Sequence, residues 1–134
     1  MSISVLLDQF QNQNLDLSVL KELFPDFTST YFSKANLGKT NSYPNGVVSV
    51  TMEGTGDKLP STIGLLPVGE FAFEVGSNTE TMHFLSGDLS WGVKGESLVQ
   101  PKTGDTLVIP FDQTLILEVK SPSIYICDYS PKEN

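Results

Sequence analysis

The chain has 134 residues, enough for one domain with a full hydrophobic core and no need of disulfide staples. Apolar residues make up 39% of it and charged residues 18%, a globular balance that excludes a disordered chain. Sixteen acidic residues stand against eight lysines and no arginine; the net charge of −8 repels polyphosphate and argues against nucleic-acid binding.

The opening stretch "MSISVLLDQF" has neither a basic start nor a long apolar run, so no signal peptide is expected there. Nothing approaches the roughly 18 apolar residues of a membrane span, and a cytoplasmic protein that binds no membrane is the expectation. Residues 1 to about 28 read as helical, with Val5, Leu6 and Phe10 at helical spacing. Ser18 is the predicted N-cap of "VLKELF", which Pro25 ends. The apolar stripe of Leu20, Leu23 and Phe24 must bury against the rest of the domain or against a partner.

From about residue 45 the pattern changes to short runs rich in β-branched and aromatic residues, separated by Gly, Pro, Asn and Asp. These are "GVVSVTM", "STIGLL", "GEFAFEV", "ETMHFL", "DLSWGV", "DTLVIPF", "TLILEVK" and "SIYICDY". Phe71, Phe73 and Val75 alternate with Ala72 and Glu74; Leu89, Trp91 and Val93 alternate with Ser90 and Gly92. Gly87–Asp88 reads as a tight turn between two strands. Strands at this spacing, without helices between them, imply an all-β antiparallel sandwich or small barrel. The division expected is a helical N-terminal extension over residues 1–30 and a barrel domain over 31–134. The one cysteine, Cys127, lies in an apolar run and reads as a buried structural thiol.

Two stretches resemble the paired motifs of the cupin superfamily, a double-stranded β-helix barrel. Gly69, Glu80 and Gly87 fit the outer marks of the first motif, and Gly104 and Pro110 fit the second. Phe73 and Val75, or Glu74 and Gly76 at the shorter spacing, stand where the first motif has its histidines. Asp112 and Leu115 replace the glycine and the histidine of the second. The carboxylate is kept and every imidazole ligand is lost, so no metal is expected. The single histidine, His83, is three residues from Glu80, and an odd separation in a strand sends the two side chains to opposite faces. With Glu80, Met82 and Phe84 facing inward, His83 faces out as a packing or interface residue.

A closer resemblance, over residues of about 62 to 129, is to the pyrimidine/purine nucleoside phosphorylase family of short bacterial cupins. It rests on Gly64, Gly69, Glu70, Phe73, Glu80, Met82, Leu85–Ser86–Gly87, Leu89, Gly104, Pro110 and Tyr125–x–Cys127–x–Tyr129, with "YFSK" resembling the family's start. The resemblance implies a homodimeric cupin that splits nucleosides with orthophosphate as co-substrate, giving free base and ribose 1-phosphate; no other cofactor is expected. The chain departs from the family in "GDKLPST", where an arginine stands in the pattern, and in "PFDQTLI", where the pattern is "PGHSEFH".

Phosphorolysis needs a dianion held beside a developing oxocarbenium centre. Glu80, an inward carboxylate, is the candidate catalytic residue. Asp112 and Gln113, in the loop after Pro110, are candidates for reading base or sugar. Phe73, Met82 and Phe84 are candidates for an apolar wall against a flat ring. Lys58 is the nearest cation for phosphate. As plain structure, Phe73 and Met82 would be core and Asp112–Gln113 a solvated turn. The alternatives to an enzyme are an altered, non-catalytic cupin that binds a small ligand, and a module that recruits a protein partner.

Overall fold

Asp16, not Ser18, starts the second helix. In the computed structural model, which describes residues 3–56 and 59–131, the chain opens with α1 (Ile3–Gln11) and α2 (Leu17–Leu23). The Asp16 carboxylate accepts from the Ser18 amide at 2.9 Å and from its hydroxyl at 2.7 Å, so the residue predicted as the cap is the one being capped. A single 3₁₀ turn (Pro25–Phe27) and a wide π turn (Thr28–Phe32) lead into the sheet.

The described residues form seven antiparallel strands: β1 (Asn36–Ser42), β2 (Val48–Glu53), β3 (Ser61–Leu66), β4 (Gly69–Glu74), β5 (Asn78–Val93), β6 (Thr106–Ile109) and β7 (Thr114–Pro131). Their order is β1-β2-β3-β7-β5-β6, with β4 also paired to β7. β5 and β7 run beside each other along their whole length. The first half of β7 pairs with β4 and the second half with β3, which rolls the sheet into a barrel.

The strands differ from the expectation in two respects. "ETMHFL" and "DLSWGV" belong to the one strand β5, and "TLILEVK" and "SIYICDY" to the one strand β7. Gly87 is not a turn but part of a bulge: the register along β7 slips between Phe84 and Leu89, and the strand bends without ending. Gly87 has φ +120°, and a Cβ there would lie 2.1 Å from Ser123 Oγ, so only glycine lets the two bent strands pass. β1, "NLGKTNS", was not among the predicted strands because it has no β-branched or aromatic alternation to mark it.

Side chains divide by face. Leu6, Phe10, Leu20 and Phe24 of the helical segment pack on Val50, Met52, Ile63 and Ile126 of the sheet's outer face. Val5, at helical spacing with Leu6, is exposed instead. Leu66, Met82, Leu89, Trp91, Leu117 and Cys127 fill the barrel interior. The apolar stripe of α2 therefore buries on its own domain, each fully buried Leu or Phe contributing on the order of 2 kcal/mol.

Candidate active site in the barrel cavity

Period-two alternation on the long strands decides which groups meet. Across the β5–β7 ladder Glu80 lies opposite Tyr129, Met82 opposite Cys127 and Phe84 opposite Tyr125, all on the inner face. Glu80, Met82, Tyr125 and Tyr129 line a cavity of about 350 Å³. Phe73 and Val75 reach it from the end of β4, Leu115 from β7, and Tyr43, Val47 and Ser49 from the hairpin joining β1 to β2.

At the spacing that puts Phe73 and Val75 at the histidine positions, the four positions that the two cupin motifs assign to metal ligands converge. They carry Phe73, Val75, Glu80 and Leu115, one carboxylate among three apolar side chains. At the shorter spacing Glu74 takes the first histidine position and also lines the cavity, while Gly76 does not. Among the described residues no three His, Cys, Asp or Glu side chains group as a metal site. Such a donor set does not fit a transition metal.

Glu80 Oε1 accepts a hydrogen bond from Cys127 Sγ at 3.3 Å. Burial pushes the Glu80 carboxyl above the ordinary glutamate range, and the thiol's hydrogen bond pulls it partly back. Burial, and then the charge of Glu80, push the Cys127 thiol far up, which makes it a protonated donor and not a nucleophile. On the same wall Thr62 Oγ1 and the Tyr129 hydroxyl are hydrogen bonded at 2.9 Å.

Of the predicted site residues, Glu80, Phe73 and Met82 come together. Phe84 does not line the cavity; it packs edge-on against Trp91, with ring centroids 6.1 Å apart. Asp112 and Gln113 are exposed in the turn between β6 and β7 and are not among the lining residues. With φ 62°, Asp112 gives its amide to the carbonyls of Val75 and Gly76, which ties the turn to the end of β4. Lys58 lies outside the described residues; Gly56 and Leu59 on either side of that gap border a different concavity. Tyr125 and Tyr129 were missed as lining residues, although Tyr125–x–Cys127–x–Tyr129 puts them on one face by simple alternation.

His83 faces away from Met82 and Phe84, toward the helical segment. Its Nε2 lies 2.8 Å from Asp128 Oδ2 and 3.1 Å from the Tyr31 hydroxyl. Tyr31 donates to Asp128 Oδ2 at 2.7 Å, and Ser61 donates to Oδ1 at 2.5 Å. Burial pushes the Asp128 carboxyl up, but the hydrogen bonds from His83, Ser61 and Tyr31, with the charge of His83, outweigh it and hold the group below the usual range. The cluster borders an outer groove of about 530 Å³, with Lys34, Thr81 and Ser130 on its walls. It ties the π turn to β5 and β7.

Residues 38–129 match the family described as pyrimidine/purine nucleoside phosphorylase. A Hahella chejuensis protein of that name is 36% identical over 92 residues, which are 68% of this chain and 97% of that protein. A solved structure from Vibrio parahaemolyticus, titled as a protein of unknown function, is similar with a TM-score of 0.60 at 26% identity, over 69% of this chain and 97% of that one. An RmlC-like cupin from Shewanella frigidimarina gives a TM-score of 0.57 at 12% identity, over 76% and 88% of the two chains. The fold is that of the cupins, as the motif frame implied.

Proposed function

Because this chain belongs to the pyrimidine/purine nucleoside phosphorylase family, we propose that it splits purine and pyrimidine nucleosides with orthophosphate in the barrel cavity. The observation that carries this reading is the placement of one half-buried carboxyl, Glu80, in a cavity walled mostly by aromatic and apolar side chains, with Glu74 and Ser49 as the other polar members of the lining. A flat base and an uncharged sugar suit those walls. As the C1′–N bond breaks, its electron pair leaves with the base, which takes up a proton. A phosphate oxygen then forms the new bond to C1′. Ionised Glu80 faces the cationic ribosyl centre at that moment, in a setting where low dielectric strengthens the attraction.

The reading is tested by incubating the protein with uridine, adenosine or inosine in saturating phosphate, and following free base and ribose 1-phosphate. Lys58→Ala tests the seat of the phosphate: the expected result is a raised KM for phosphate with the nucleoside KM unchanged.

A second reading is favoured by the lining itself, which among the described residues holds no lysine and, in a chain without arginine, no guanidinium. It is a barrel that binds a nucleoside-like ligand without turning it over. Nucleoside binding without base release, whatever the phosphate concentration, would select it.

A further inference from the structure

Three of the chain's four tyrosines line the barrel cavity, and one of them differs from the others. Tyr125 and Tyr129 are held in the wall by the β7 ladder, and burial pushes both phenols up. Tyr43 is 47% exposed, the one aromatic among the exposed large apolar side chains of the described residues, yet it belongs to the cavity lining. A half-exposed aromatic ring at the rim of a cavity has apolar area left to bury, which the fold itself does not cover.

The turn that carries Tyr43 is closed by hydrogen bonds. Tyr43 N–H donates to the Val47 carbonyl at 2.9 Å, and Gly46 N–H donates to the Tyr43 carbonyl at 3.0 Å. The Asn45 side chain accepts from the Val47 amide at 3.1 Å, and Gly46 takes φ +90° beside Pro67. This is a three-residue hairpin loop closed by a glycine bulge. Val47 and Ser49, from the same hairpin, continue down the cavity wall. The backbone that carries the ring at the rim is therefore held by its own hydrogen bonds.

We propose that Tyr43 is a substrate-binding residue that stacks on the nucleobase at the mouth of the cavity, and so sets how the nucleoside enters. This rests on the nucleoside-binding reading of the same cavity. The base meets the Tyr43 ring at the rim, and the sugar lies deeper, where C1′ faces Glu80. Stacking needs only the flat face of a base, so purines and pyrimidines gain alike.

The test compares wild type, Tyr43→Phe, Tyr43→Leu and Tyr43→Ala with uridine and inosine. It measures steady-state turnover in saturating phosphate and equilibrium binding by calorimetry without phosphate. Tyr43→Phe is expected to match wild type. Tyr43→Ala and Tyr43→Leu are expected to raise KM and Kd about tenfold, the scale of one base–aromatic stack, with kcat within about twofold. Leucine keeps the apolar bulk and removes the ring, so a Leu variant that binds like wild type overturns the stacking assignment. An Ala variant with unchanged KM and Kd, beside an active or nucleoside-binding wild type, overturns the role of Tyr43 and leaves the reading of the cavity standing. A wild type that neither binds nor cleaves a nucleoside overturns both.

Discussion

At Glu80 burial and a thiol hydrogen bond pull the carboxyl in opposite directions, and burial prevails. Its charged form is therefore lost, on acidification, at a higher pH than for an exposed glutamate. If the ionised carboxylate acts on the ribosyl centre, the acid limb of kcat/KM should lie above the usual glutamate range, about 4.3. Glu80→Gln should abolish that limb and lower kcat by about 10²- to 10⁴-fold, with Tm little changed. An unchanged kcat would remove Glu80 from the chemistry. Elemental analysis of the purified protein should find no stoichiometric iron, manganese or zinc; one equivalent in the barrel would contradict the donor set. Asp128 works in the opposite sense, since its carboxyl is depressed. Its contribution is present above the unfolded carboxyl range and is lost as pH falls through the depressed folded value, whereas that of Glu80 is lost as pH rises through its raised one. Asp128→Ala leaves the Tyr31, Ser61 and His83 donors without their acceptor and should cost about 2 kcal/mol. Thermal melts from neutral to acid pH read both effects. The direction of His83 was legible, because parity along a strand fixes it. Its partners were not, since Asp128 is 45 residues away and Tyr31 is 52, and nothing local couples them.

At the scale of elements, the helical segment and the cavity lie on opposite faces of the sheet, so they should respond to mutation independently. Leu20→Ala, at a fully buried position of α2, opens a cavity in the outer cluster and should cost about 2–5 kcal/mol. The nucleoside KM should stay at the wild-type value. A raised KM in a variant that still melts cooperatively would show that the segment reaches the site. The strands with alternating β-branched and aromatic residues were legible one by one. Their continuity was not, because Gly87–Asp88 and Ser121–Pro122 carry turn chemistry in the middle of bent strands. Ser123 explains why: its hydroxyl accepts from the Asp88 amide at 3.1 Å and donates to the Ser121 carbonyl at 2.8 Å, holding the bend together across the ladder. Tyr43 went unread for a related reason: Pro44–Asn45–Gly46 marks a loop, and a loop signal does not say what the loop faces.

At the scale of the molecule, β1 and β6 end the sheet and, among the described residues, each pairs with a strand on one side only, which leaves an edge to cover. A homodimer is the proposed state, and light scattering at micromolar concentration should return the mass of two chains; one chain's mass would contradict it. Phosphorolysis in the cavity is tested most directly by following product from uridine, adenosine and inosine with the purified protein, with and without orthophosphate. Free base and ribose 1-phosphate are expected in equal amounts, formed only when phosphate is present. No free base from any of the three in saturating phosphate would contradict it.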